Sequence, residues 1–290
     1  MSGAVAVTGA TGTIGSAVAA TLAAEGHDVV ALVRDPARFA APPGRVRVAV
    51  AEYDDRDALV RALDGVATLV FVASDGEVGP MLVHHLNVVE AAARSGVAHV
   101  VYLSIVDVDP SSPFCYAAPH AATERLLADA GLVTTAVRAG MYGEFFVRFL
   151  REAATTGRLA LPMEDGVLSL VSRADVARCL AAAASSAPNG PHLVTGDRTY
   201  DLGGLAAVAS RRGRQVRAEP VDARDFGIAL LRGGLEPWWT YAFTSMFAAV
   251  AENRFAGVTT GVVDLTGRGP VSFEQTADEV LRRVPDLPST

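Results

Sequence analysis

The chain has 290 residues, 25 basic against 32 acidic side chains, a net charge of −7 and an apolar fraction of 50%. The acidic balance argues against nucleic acid as the main partner. No apolar run of membrane-spanning length is free of charges or glycine breaks, and two lone cysteines, Cys115 and Cys179, suggest neither a disulfide framework nor a Cys-based metal site. Every one of the 25 basic residues is arginine. With no lysine, a Schiff base or an ammonium that tunes a tyrosine is excluded. The N-terminus has no basic stretch, so no signal peptide is expected and the cytoplasm is the default location. The length suits one large α/β domain or two small ones.

The first 35 residues predict a strand, a glycine turn, a helix and a second strand. Ala4–Val7 is a short apolar run suited to a buried parallel strand. Gly9, Gly12 and Gly15 follow at spacing G-x-x-G-x-x-G. Ile14, Val18 and Leu22 give a helix an apolar face that ends at Gly26, and Val29–Val33 is the next strand. This is a βαβ unit. Gly9 and Gly12 let the chain turn tightly and a pyrophosphate approach, and Gly15 lets the helix pack on the sheet. The N–H groups near Thr11, Gly12, Thr13 and Ile14 sit where a helix N-terminus favours an anion. At the end of the second strand an NAD site carries an acid, and an NADP site an arginine for the 2′-phosphate. Here Arg34 arrives first, while Asp35 precedes Pro36 as a turn or N-cap residue. NADP(H) is therefore the expected cofactor.

Further on, Val46–Val50 is a third strand, and Asp57 is expected to cap a helix through Leu63. Tyr53 and Asp54 are candidates for the adenine side, with plain loop and cap chemistry as the other reading. Residues 67–73 form a fourth strand delivering Ala73 and Ser74 to the carboxyl edge, where ligands bind in open parallel sheets. A helix over 80–95 carries His84 and His85, too few ligands for a metal site. A fifth strand, 98–104, brings Ser104 to the same edge. The long loop 106–119 contains Tyr116 near its end, and a helix is read from His120 to Asp129. The sixth strand, 133–138, leads to Gly140, Met141 and Tyr142. Beyond it are expected a helix over 144–155, short strands at 159–161 and 167–171, a helix over 174–184 returning to the sheet, and a seventh strand at 191–195. A helix over 202–212, a strand over 216–221 and a helix over 223–231 follow. Arg211, Arg212, Arg214 and Arg217 read as a solvated helix end. The run 237–255 is dense in aromatics, suited to core packing, an apolar pocket or a homodimer contact. A last helix covers 273–283.

In this order TGATGTIG, LVRDPAR, HLNVVEAAARSGVAHVVYLS, HAATERLLADAGLVTTAVRAGMY, SRADVARCLAAA and LTGRGPVSFEQTADEV resemble the NmrA-like atypical short-chain dehydrogenase/reductases, especially their NAD(P)H:quinone oxidoreductase-like branch. The resemblance implies an α/β fold: a Rossmann-type doubly wound parallel sheet with a smaller α/β C-terminal lobe. The expected division is a core of residues 1–142, with 172–196 returning to it, and a substrate-covering lobe of 143–171 and 197–290. It implies that Gly9, Thr11, Gly12, Thr13, Ile14 and Arg34 hold the phosphates and ribose, with Ala73 and Ser74 on the nicotinamide side and Gly140 to Tyr142 helping to close the pocket. Ordinary members of this superfamily use Tyr-x-x-x-Lys; here Tyr116 keeps the spacing and His120 stands in place of the lysine. Tyr116 is then a proton donor or a wall, and His120 bonds the ribose or transfers a proton, an unperturbed imidazole titrating near ~6.5. The implied activity is hydride transfer from NADPH to a small-molecule quinone or other conjugated carbonyl. Regulatory members that only sense NADP(H), and tailoring reductases of polycyclic aromatic metabolites, are the rival readings.

Overall fold

The computed structural model describes residues 3–211 and 213–283. The first half runs β1 (Ala4–Val7), α1 (Thr13–Ala24), β2 (Val29–Val33), β3 (Val46–Val50), α2 (Arg56–Ala62), β4 (Val66–Val72), α3 (Val78–Arg94), β5 (His99–Ile105), α4 (Ala117–Asp129) and β6 (Thr134–Ala139). The second half runs β7 (Met141–Tyr142), α5 (Gly143–Thr156), β8 (Arg158–Leu161), β9 (Leu168–Val171), α6 (Arg173–Ser185), β10 (His192–Val194), β11 (Thr199–Tyr200), α7 (Leu202–Ser210), β12 (Arg217–Pro220), α8 (Ala223–Arg232), α9 (Pro237–Ala251), α10 (Gly261–Thr266) and α11 (Phe273–Arg283).

Seven strands form one sheet in the order β3-β2-β1-β4-β5-β6-β10, and every pairing in it is parallel. β1 lies between β2 and β4, so the strand order reverses beside it and a crevice opens at the carboxyl edge there. The inner strands are apolar on both faces because helices cover both. One face carries α1 and α6, with Val18, Leu22, Val176 and Leu180 in a shared core. The other carries α2, α3 and α4 over Leu59, Phe71, Val88, Tyr102 and Leu127. A separate core of Phe146, Phe149, Leu150, Phe226, Phe247 and Phe273 joins α5, α8, α9 and α11. This is the doubly wound Rossmann-type fold the sequence predicts.

Several boundaries differ from the sequence reading, each for a local reason. Asp55, not Asp57, caps α2, accepting the Ala58 N–H at 2.8 Å; Asp57 sits inside the first turn. Helix α4 begins at Ala117, three residues early, because Tyr116 is already near helical (φ −90°, ψ −9°). Most of the aromatic run 237–255, to which the sequence assigns no element, is helix α9, ending at Ala251, and Asn253 follows in the left-handed region (φ 58°). The short α10, β7 and β11 were too brief to leave a periodic signal. The described arginines of the cluster are exposed, with Arg211 at the end of α7, and each also has a surface partner. Arg211 pairs with Asp278, Arg217 with Glu219, and Arg214 donates to the Thr155 and Thr156 carbonyls. Arg212 lies outside the described residues.

Candidate functional site

A cleft of about 750 Å³ runs along the carboxyl edge of the sheet. All the residues nominated from the sequence line it: Gly9, Thr11, Gly12, Thr13 and Ile14; Arg34 and Asp54; Ala73, Ser74 and Ser104; and Tyr116, His120 and Tyr142.

At one end the backbone makes an anion cradle. Gly9 takes a φ of +60°, which few L side chains adopt, and its carbonyl accepts the Gly12 N–H at 2.8 Å. A Cβ on Gly15 would lie 2.3 Å from the Gly9 oxygen, so α1 reaches the turn only because residue 15 has no side chain. Helix α1 has no side-chain cap and no acid in its first turn, and Thr11, Gly12 and Thr13 are exposed. Its leading N–H groups and dipole are therefore available to an anion. Beside the cradle Arg34 is exposed and, among the described residues, makes no ion pair. The carboxylate of Asp35 is spent on the Ala37 N–H at 2.9 Å, as a cap for the turn at Pro36–Arg38. Asp54 faces His84 at 3.2 Å, and Tyr53 donates to the Val72 carbonyl at 3.1 Å. Two buried polar atoms at the cleft, Ser74 Oγ and His84 Nδ1, have no partner. Orphaned groups of this kind, an uncapped helix and a glycine cradle fit a bound dinucleotide.

The floor of the cleft is organised by one turn of α4. The buried Tyr102 hydroxyl and His120 Nδ1 are 2.7 Å apart. Burial pushes the Tyr102 phenol well up and the His120 imidazole down to about 3, so both are neutral near pH 7. Tyr102 is fully buried and its hydroxyl is hydrogen-bonded to His120 Nδ1; with the phenol as donor, the neutral ring carries its proton on Nε2. The expectation that His120 titrates near neutrality is therefore corrected: desolvation removes the charged form. Thr123 donates to the Pro119 carbonyl at 2.8 Å and accepts from His85 Nδ1 at 2.7 Å; His85 Nε2 accepts the Ser74 N–H at 3.3 Å. Burial first, then the neighbouring His120, holds His85 down to about 3 as well. Glu124 accepts from Ser104 Oγ at 2.6 Å and from Arg138 at 3.0 and 2.5 Å. Ser104 thus has its proton committed to a carboxylate. Thr123, Glu124 and Arg138 were not singled out from the sequence, although H-x-x-T-E lies within HAATERLL, and His85 was weighed there only as a metal ligand.

Tyr116 donates to the Gly76 carbonyl at 2.9 Å and receives the Gly76 N–H at 3.3 Å. Burial raises its phenol to about 12. Around and beyond it the cleft is apolar, lined by Phe114, Met141, Phe145, Trp239, Phe243 and Met246. Among the described residues no cluster of three or more His, Cys, Asp or Glu could hold a metal ion, and no helix is long and apolar enough to cross a membrane.

A parallel sheet of this order, with an uncapped helix over a glycine turn and an aromatic end to the same cleft, defines a dinucleotide-binding oxidoreductase of Rossmann type. Comparisons agree. Residues 9–187 match a family model described as NAD(P)H-binding. Quinone oxidoreductase 2 of Escherichia coli is 35% identical over 237 residues, covering 80% of this chain and 82% of that one. An NmrA-like family domain-containing oxidoreductase of Aspergillus flavus is 29% identical over 241 residues, 79% and 78% of the two chains. The structure of the E. coli NADPH-dependent quinone oxidoreductase QOR2 in complex with NADPH superposes with a TM-score of 0.89 at 29% identity, covering 96% of this chain and 99% of that one. The chain belongs to the NAD(P)H-binding, NmrA-like family of quinone-oxidoreductase type, and it is an NAD(P)H-dependent oxidoreductase.

Proposed function

We propose that this protein reduces quinones, transferring a hydride from NADPH to the ring. The observation that carries the reading is that, among the described residues, the three candidate proton donors of the cleft floor, His120, Tyr116 and Ser104, are all held away from acid catalysis near neutrality. His120 is held neutral by burial, Tyr116 is raised to about 12 and bonded to Gly76, and Ser104 is committed to Glu124. A quinone is an electrophile that needs positioning and desolvation more than acid catalysis. The similarity to E. coli quinone oxidoreductase 2 supports the same substrate class.

In this reading Gly9, Thr11, Gly12, Thr13 and Ile14 hold the pyrophosphate and Arg34 the 2′-phosphate. Asp54 borders the adenine, Ala73 and Ser74 flank the nicotinamide, and Tyr142 helps close the pocket. The bound nicotinamide supplies the hydride. His120 offers Nε2–H as an uncharged donor to the ribose or the acceptor oxygen, its ring held in place by Tyr102. Ser104 and Tyr116 act as walls whose hydroxyls are fixed by Glu124 and Gly76. Residues 143–171 and 197–283 act as a lobe that covers the substrate with aromatic rings and keeps water out, while 172–196 belongs with the core.

The test is steady-state NADPH oxidation with benzoquinones, naphthoquinones and non-quinone enones. Turnover with the quinones is expected. Tight NADPH binding with no turnover of any acceptor would refute the reading and favour a protein that only senses the cofactor.

A further inference from the structure

The cleft is lined by two arginines, and the second has no part in the account so far. Arg173 is the first residue of α6, which packs against α1, the helix of the glycine cradle. Ile14 of α1 and Val176 of α6 lie in one apolar cluster, with Tyr142 packed against it. Arg173 lines the same cleft as Gly9–Gly15. Its backbone N–H donates to both oxygens of Glu144, at 2.9 and 3.1 Å. Its guanidinium carbon lies 5.2 Å from the centre of the Tyr142 ring. The nearby carboxylate therefore anchors the main chain of Arg173, and the ring supports its guanidinium. Among the described residues no carboxylate pairs with its head, whereas Arg178, one turn further along the same helix, pairs with Asp175. A half-buried arginine held this way, in a cleft that already has an uncapped helix N-terminus, is preorganised for an anion from outside the protein.

We propose that Arg173 clamps the pyrophosphate of the dinucleotide, dividing the cofactor's charges with Arg34. This rests on the dinucleotide reading above and adds a residue to it. The planar fork matches two phosphate oxygens, a geometry that a chain without lysine can supply only through arginine. Because the pyrophosphate is common to both cofactors, the clamp acts alike on NADPH and NADH, whereas the 2′-phosphate contact acts on NADPH alone.

Isothermal titration of the full chain with NADPH and with NADH separates the two. Arg173→Met keeps an unbranched stem to pack on Tyr142 and removes the charge. It is expected to weaken both nucleotides by a similar factor of about 10–100, the range of a hydrogen bond to a charged group. Arg34→Ala is expected to weaken NADPH and leave NADH unchanged. The KM for an uncharged benzoquinone should stay within about twofold in the Arg173 variant, as for any change confined to cofactor binding. Apo thermal melting checks the fold, and Arg173→Gln carries the same comparison if the Met variant does not fold. Unchanged affinity for both nucleotides overturns the clamp, as does an effect confined to the KM of a sulfonated quinone, which would place the guanidinium on a substrate anion instead. If the wild-type chain binds neither nucleotide, the cofactor reading itself falls, a result distinct from normal wild-type binding with an insensitive variant.

Discussion

Burying His120 against Tyr102 makes the stability of this protein depend on pH in a way that can be isolated. The imidazole titrates at 6.5 when free and at about 3 when folded, because burial disfavours its charge. Between these values the unfolded chain binds a proton that the folded chain does not. Unfolding free energy therefore rises with pH across the window, by about 1.4 kcal/mol per pH unit. Acidifying from 6.5 to about 5 removes about 2 kcal/mol through this one residue, and the loss levels off below about pH 3. His85 shifts in the same direction for the same reason, and His99 is lowered by burial too. Asp107, raised by burial, works the other way. To separate His120 from these, wild type is compared with His120→Asn, whose side-chain oxygen can accept the Tyr102 hydroxyl in place of Nδ1. Urea unfolding at about pH 7 and about pH 5 should show wild type losing about 2 kcal/mol more than the variant, a large fraction of a typical domain's stability. Equal losses in the two proteins would refute the assignment of a neutral, buried imidazole.

Gly15→Ala forces a Cβ to within 2.3 Å of the Gly9 oxygen. The turn must shift at a cost of about 1–3 kcal/mol, and thermal melting together with nucleotide titration should show lower stability and at least about tenfold weaker NADPH binding. Glu124→Gln leaves the mostly buried Arg138 without its bidentate carboxylate and weakens the acceptor of Ser104. Urea unfolding at pH 7 should register a loss of about 1–3 kcal/mol, between the values for exposed and buried pairs. Tyr116→Phe removes the hydroxyl that bonds Gly76 and leaves the ring in place. It should lower kcat less than about threefold; a loss of about 100-fold or more, typical of a removed general acid, would make Tyr116 the proton donor.

The parts of the molecule legible in the sequence are those with local causes. Strands β1, β2, β4 and β5 are continuous apolar runs because both their faces are covered. The glycine turn reads directly because each glycine answers a short-range steric demand, and Asp35 reads as a cap because Pro36 follows it. The floor of the cleft was not legible, since its bonds join distant positions: His85 to Thr123, Ser104 to Glu124, Tyr116 to Gly76. Nor could spacing show that His120 would be desolvated. The Tyr-x-x-x-His pattern carried the geometry of one helical turn, but the protonation state of His120 is set by its burial against Tyr102 of β5.

What H-x-x-T-E does in this fold constrains the chemistry more than any single side chain. Three residues within little more than one turn of α4 reach three different neighbours. His120 holds Tyr102 on β5, Thr123 holds His85 and through it the Ser74 N–H after β4, and Glu124 ties Ser104 of β5 to Arg138 of β6. A lysine in place of His120 would bring a charge into a site whose other partners are a phenol and a second neutral imidazole, and would meet the same burial that empties His120 of its proton. The network is consequently closed to ammonium-assisted carbonyl reduction. An isolated ketone gains a localised alkoxide on accepting hydride and needs a proton at once. A quinone spreads that charge through its ring and carries a second oxygen toward solvent or the Nε2–H of His120. On the proposed reading, a rigidly hydrogen-bonded floor whose one ion pair, Glu124 with Arg138, is satisfied internally suits the second acceptor better than the first, and the ratio of quinone to simple-ketone turnover tests that selection.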